Sequence, residues 1–454
     1  MNRAIVIGGC ANALVAAQLL ARAGREVMVI EGRHTSADAG WVPPAVLKAL
    51  RLEGFELQWP DPWLAVPLDG GGRLELWRDM AQSVEAIRRV SARDAERWPK
   101  FCARMARLAR FLEAVYAAPA PDPLSPRFAL RARMLGRTGL ADLLRILPMP
   151  VAELLDDWFE ADALKGALGG AGVQHILQGP RSSGTAFRFL HQHVGCPPGV
   201  FRAPRSNVME LLRKLPRVEL QETEVAGITV REGAARGVVL QDGRSLEADL
   251  VVSSADPRRS LLDLVEPGWL DPELVRALRN VRRRGVAARL RIELDRAPGF
   301  LALALAPSLD YLERAYDDAK HGRVSRQPYV EARCEDNRLD ALVQYAPYGV
   351  DCAGLADTVT ALLSEHWGDA QPQRSELLAP RELEQAESWP EGQPHHAELA
   401  LDQALWMRPV PGLARYRTPI KGLWLCGPGM HPGAGVAGAA GYLCAREIDS
   451  GTQP

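Results

Sequence analysis

The first thirty residues carry the clearest pattern of apolar and polar positions in the chain. Ala4-Ile5-Val6-Ile7 is an unbroken apolar run closed by Gly8-Gly9, which predicts a short buried strand. From Asn12 to Ala23 the residues are helix formers, with apolar positions at Leu14, Val15, Ala17, Leu19 and Leu20. Gly24 then stands where a helix C-terminus favours glycine. Val27-Met28-Val29-Ile30 predicts a second buried strand, ended by Glu31. Strand, turn, helix and strand within about 30 residues make a βαβ unit with an acid closing its second strand.

Beyond Glu31 the pattern loosens through a stretch bearing Trp41, Pro43, Pro44, Trp59, Pro60, Pro62 and Trp63. Residues 80–145 read as helical and arginine-rich. Arg104, Arg107 and Arg110 fall on a different face from Leu108, Phe111 and Leu112. A Pro/Ala-rich loop at 119–126 divides this region, and a further helix is predicted over 151–167, followed by Gly166, Gly169, Gly170 and Gly172. Residues 217–253 read as β-rich, with an Asp242-Gly243 turn, a strong hairpin signal, and a last apolar strand at Asp249-Leu250-Val251-Val252. From 266 to 394 strands and helices alternate without a motif. No repeat or low-complexity tract is present.

Composition narrows the classes. The 454 residues imply two to three domains. A formal net charge of −1, from 55 basic and 56 acidic residues, gives no global field to recruit nucleic acid. Seven scattered cysteines without C-x-x-C spacing suggest neither a disulfide framework nor a zinc site, and point to a reducing compartment. No apolar stretch reaches the ~18 residues of a spanning helix, and the first strand begins too early for a secretory leader. The expected setting is the cytoplasm. Peripheral contact with the inner membrane surface stays open, because a basic amphipathic helix within 104–137 can lie at an anionic interface.

Glu31 stands 23 residues after Gly8, the spacing of a dinucleotide-binding unit. There a glycine turn lets a pyrophosphate approach a helix N-terminus, and the acid accepts hydrogen bonds from the adenosine ribose. Gly8 fills the first glycine position, Cys10 the second and Ala13 the third. The far end of the chain adds Leu423-Trp424-Leu425-Cys426-Gly427-Pro428-Gly429-Met430-His431-Pro432-Gly433-Ala434-Gly435-Val436-Ala437-Gly438, a strand, a glycine-rich loop and a small-residue helix.

This terminal segment resembles the flavin-contacting segment of the carotenoid (phytoene) desaturases and their relatives, the phytoene-dehydrogenase-like oxidoreductases that include pyridine nucleotide-disulfide oxidoreductase domain-containing protein 2. The runs His396–Gln403, Arg408-Pro409, Pro411-Gly412, Gly237–Gly243 and Asp249–Pro257 match the same family. The resemblance implies an α/β chain: a discontinuous, glutathione-reductase-like FAD/NAD(P)-binding domain of Rossmann type with an inserted α+β substrate domain. The FAD domain is expected from 1–80, 195–260 and 395–454, with a helical substrate or membrane-facing part at 81–194 and a substrate domain at 261–394. FAD is the implied cofactor. The residues implied to hold it are Gly8, Gly9, Cys10, Asn12, Ala13, Glu31, Val225, Gly427, Gly429, Met430, His431, Pro432, Gly433, Gly435 and Val436.

Three departures cluster at the cofactor. Cysteine at position 10 carries a Cβ toward the expected pyrophosphate. Gly32 to Gly40 lacks the family's Gly-Gly-x-x-x-Thr, and Ala203-Pro204-Arg205-Ser206-Asn207 replaces a Gly-Gly-Met-Gly-type turn. Among single residues, His431 reads as loop-shaping more than as a proton carrier, and adjacent His395-His396 as structural rather than metal-ligating. His191-Gln192-His193 alternates as two residues on one strand face would, and Trp406 and Trp424 are pocket-lining candidates. The family chemistry is hydride removal from a small, lipophilic substrate, with no assigned catalytic side chain. Two other readings stand beside it. One is a cofactor-degenerate paralogue acting as a binding or scaffold subunit. The other is a redox-neutral flavin-dependent isomerase. A partner enzyme or a homo-oligomer fits any of the three.

Overall fold

The computed structural model describes residues 2–451 apart from 33–39, most of 122–135 and residue 217. The apolar run at the start forms β1 (Arg3–Ile7), followed by helix α1 (Ala11–Arg22) and β2 (Glu26–Glu31). Gly24 takes φ +90°, a left-handed conformation that suits a residue without Cβ at the turn out of α1. Further along lie α2 (Thr185–Gln192), β3 (Glu219–Glu222), β4 (Leu250–Ser253), β5 (Leu423–Leu425) and α3 (Ala439–Asp449).

One parallel sheet gathers strands from all three stretches of the chain, in the order β5-β4-β1-β2-β3. Ile5 pairs with Met28 on one side and Val251 on the other, so β1 is central. Being covered on both faces, β1 and β4 are apolar at consecutive positions rather than alternating. Helix α3 packs directly on α1. A Cβ added to Gly441 would stand 1.9 Å from the backbone oxygen of Asn12, so glycine is needed for that approach.

A second, seven-stranded mixed sheet has the order Pro372–Leu378, Ala287–Leu294, Arg338–Gln344, Val330–Glu335, Ala302–Leu305, Leu64–Pro67, Arg73–Leu76. Both of its faces are covered near the centre. Ala302 and Ala304 pack into the helical core built around Trp98 and Phe101, while Leu303 and Leu305 pack on the opposite side with Leu290 and Val343. The strands at 64–76, grouped by sequence with residues 1–80, pair in this second sheet, because Leu303 and Ala65 are neighbours in register.

The region expected to be helical contains Met80–Arg88, Ala92–Tyr116 and Gly136–Ile146. Within it, Arg104 and Arg107 both pair with Asp142. Residues 122–125 of the predicted loop at 119–126 lie outside the described residues. No helix among the described residues is long and apolar enough to cross a membrane.

Candidate functional site

Both ends of the chain meet at one groove. Its first half, a cavity of about 290 Å³, lies over the β1–α1 turn and is bordered by Gly8, Gly9, Cys10, Val225 and Ser254. The second half, about 340 Å³, runs from Asn12 past Gly435, Val436 and Ala437 to Arg188, His191 and His395. Cys10, Trp389, Pro394 and Pro428 border both halves, so the two are continuous.

At the junction stands the N-terminus of α1. Cys10 takes the N-cap position in extended conformation, with no side-chain capping bond and no acid in the first turn. The first-turn N–H groups of a 12-residue helix are thus left for an anion, where the helix dipole favours one. Glu31 lies beside this turn, 6% exposed. A Cβ on Gly9 would fall 1.8 Å from Glu31 Oε2, so only glycine admits the carboxylate here. Arg213 donates to both carboxylate oxygens at 2.9 Å. Two donors leave part of the acceptor capacity of a carboxylate open to further hydroxyl groups.

The glycine-rich loop before α3 is held from two sides. Trp41 N–H donates to Gly435 O and Ala437 N–H to Trp41 O. From α2, His191 Nε2 meets Ala434 O at 2.9 Å, and its Nδ1 meets Tyr116 Oη at 2.9 Å. Because a carbonyl can only accept, the network assigns the proton to Nε2, and the tyrosine donates to Nδ1. Burial, aided by Arg188, pushes His191 down to about 3, so it is neutral at pH 7.

Deeper in the second half, Arg202 faces Glu331 at 2.7 Å, and Tyr329 Oη donates to the same carboxylate at 2.7 Å. Burial works to raise Glu331, but Arg202 and Arg333 outweigh it and hold the group below the usual carboxylate value. Arg188 donates from Nε to Gln174 O and from Nη2 to His395 Nε2, both at 3.3 Å. His395 is driven well below its ordinary value, by burial first and by Arg188 next, and its Nδ1 has no hydrogen-bond partner.

Of the sequence-predicted residues, Gly8, Gly9, Cys10, Asn12, Val225, Gly435 and Val436 border the groove, with Glu31 against its wall. The others sit behind it. Ala13 is buried inside α1, and Met430 and His431 are fully buried. Pro432 follows them in the same buried turn. His431 Nε2 donates to Ala118 O at 3.2 Å, and burial takes its ring down to about 4. Gly427, Gly429 and Gly433 are closed against protein rather than groove. A Cβ there would meet Ser254 O, Pro257 Cδ and Leu399 Cδ1 at 2.1, 2.7 and 2.9 Å.

The departures fall in different places. Ala203, Pro204 and Arg205 border the second cavity, whereas 33–39 lies outside the described residues. His191-Gln192-His193 is not a strand. His191 and Gln192 end α2, and all eight residues of that helix are buried, which removes the polar face that marks a helix in sequence. Trp406 and Trp424 do not border the groove; Trp424 is packed under Arg417, whose Cζ lies 5.0 Å from the ring centroid, and Trp389 lines the groove instead. Arg188, Gln174 and Glu331 carry no sequence signal, since lone residues in an arginine-rich chain form no motif.

No protein-family model matches the chain. It is 27% identical to pyridine nucleotide-disulfide oxidoreductase domain-containing protein 2 of Rattus norvegicus, covering 98% of this chain and 93% of that one. A limonene dehydrogenase component from Castellaniella defragrans is 23% identical, over 98% and 94% of the two chains. Among solved structures, putrescine oxidase bound to putrescine matches with a TM-score of 0.58 at 16% identity, covering 99% of each chain. Cyclohexylamine oxidase from Brevibacterium oxydans matches with 0.55 at 15%, over 99% of this chain and 98% of that one. The similarity first seen at the two ends of the sequence therefore extends over nearly the whole chain: in sequence it is similar to pyridine nucleotide-disulfide oxidoreductase domain-containing protein 2, and it shares the Rossmann-type fold of putrescine oxidase and cyclohexylamine oxidase.

Proposed function

We propose that the chain is an FAD-dependent oxidoreductase that removes hydride from a C–H or C–N centre of a small organic substrate. The carrying observation is the continuous groove, which joins the Glu31 wall to the Gly435 loop through the uncapped N-terminus of α1. Its residues fit the cofactor: a carboxylate for the ribose at one end, free N–H groups for the pyrophosphate midway, and glycine backbone for a flat ring beyond. The oxidoreductase names of the relatives support the same reading.

FAD bound in this groove supplies the two-electron acceptor. The protein supplies position. Glu31, fixed by Arg213, would hold the ribose. The Tyr116–His191–Ala434 chain fixes the Gly435 loop, which would back the ring. His191 is neutral with its Nε2 proton committed to a carbonyl, so it serves this loop rather than accepting a substrate proton.

A visible spectrum of the purified protein, followed by calorimetric titration with FAD, tests the reading. A band at about 450 nm, or saturable FAD binding, is the expected result. A colourless protein that ignores FAD sinks it and favours the scaffold role. Turnover without consumption of an electron acceptor would instead identify an isomerase.

A further inference from the structure

The inner half of the groove is unbalanced in charge. Five arginines border it, against the two carboxylates Glu331 and Asp340. At the mouth, Arg289 donates from Nε to Asp340 at 2.7 Å and Arg205 pairs with Glu335. In the depth stand Arg188 and Arg202, each 2% exposed. Arg202 is neutralised by Glu331.

Arg188 has no carboxylate partner among the described residues; its hydrogen bonds end on a carbonyl and on the neutral His395. Burial takes Arg188 down to about 10, which still leaves it charged at pH 7. The histidines around it, His175, His191 and His395, are all depressed by burial and by Arg188, and are neutral there. A buried guanidinium without a counter-ion is costly, and its planar fork suits a carboxylate.

We propose that Arg188 seats the carboxylate of the substrate, so that this protein acts on an organic acid rather than on an uncharged lipophile. The term substrate rests on the proposed oxidoreductase reading; the anion site itself does not. Ala287, Ala288, Leu342 and Val436 add an apolar stretch to the same wall. It suits the hydrocarbon part of such an acid. The mouth also shares Arg205, Arg289 and Arg333 with the arginine-bearing face of the seven-stranded sheet, which supplies a positively charged approach.

The test is calorimetric titration of the purified full-length protein with benzoate, with the near-isosteric but uncharged benzamide, and with inorganic phosphate. Benzoate should bind about tenfold or more tightly than benzamide, as a charge-assisted hydrogen-bonded pair implies, and more tightly than phosphate. Arg188→Gln should abolish that preference, and Arg188→Lys should keep part of it. Equal binding of benzoate and benzamide, binding of neither, preference for phosphate, or a preference that survives Arg188→Gln would each overturn the proposal. If Arg188→Gln fails to fold, the wild-type comparison and the lysine variant still decide. A colourless protein that prefers benzoate would retire the flavin reading alone; a yellow protein indifferent to the charge would retire the anion site alone.

Discussion

Lowering the pH from 7 to 5.5 is predicted to destabilise this protein by about 4 kcal/mol through three histidines. His191, His193 and His431 are buried, and burial holds their rings down to about 3, 4 and 4. Each has one nitrogen committed to a backbone carbonyl: Ala434, Val200 and Ala118 respectively. The second nitrogen of His191 accepts from Tyr116, while those of His193 and His431 have no partner, so a second proton has no acceptor waiting. Unfolding releases each ring to about 6.5. Folded values lying below unfolded ones mean that stability is full above pH 6.5 and drains away as pH falls toward 3–4. Between pH 7 and 5.5 the loss is about 1.3 kcal/mol per ring, set by the unfolded value because the folded rings stay neutral throughout. His175 and His395 are depressed in the same direction and add to this loss, so the sum over three rings is a lower bound. Guanidinium unfolding at the two pH values gives the free-energy difference. Calorimetry in buffers of different ionisation enthalpy gives the proton uptake, about three per molecule at pH 5.5 from these rings. Ordinary carboxylates remain ionised over most of this window. A loss under about 1 kcal/mol, or uptake of less than about one proton, would show that these rings titrate freely in the folded state and refute the reasoning.

Three substitutions probe other parts of the argument. Gly441→Ala drives a methyl into the backbone of Asn12 and should cost about 2 kcal/mol or more in denaturant unfolding; a neutral result would mean that α1 and α3 separate easily. Glu331→Gln leaves Arg202 buried without its counter-charge and should cost about 3 kcal/mol or more, whereas an unchanged unfolding midpoint would place the guanidinium in contact with water. Cys10→Gly should tighten FAD several-fold in a calorimetric titration, by removing a side chain from the junction of the groove, at about 0.5–1 kcal/mol of stability; weaker FAD binding would assign the cysteine a favourable contact.

What the sequence made legible follows from how locally each feature is encoded. β1, α1 and β2 carry their periods and their glycine punctuation within thirty residues, and the structure places them within one residue of the expected bounds. The seven-stranded sheet is encoded non-locally. Leu64–Pro67 joins Ala302–Leu305 across more than two hundred residues, a pairing no window of sequence contains. The terminal glycines show a different limit. Their spacing is visible, but whether the missing Cβ makes room for a ligand or for Ser254 and Pro257 depends on what folds against them. Arg188 and Glu331 were invisible for a simpler reason: the partner that defines a buried charge, or its absence, exists only in three dimensions.

The packing of α3 on α1 also has a consequence in time. The outer strand β5 and helix α3 are synthesised well after the β1–α1 turn that they complete. At about 5–20 residues per second, the ribosome needs on the order of 20 to 80 s to go from Glu31 to Leu425. Throughout that interval one flank of α1 has nothing to rest on, and the wall formed by Gly435 does not exist. The groove thus closes only once β5 and α3 have been made, so a ligand that spans it cannot template the chain before then. Removing α3 should therefore act on the distant β1–α1 turn.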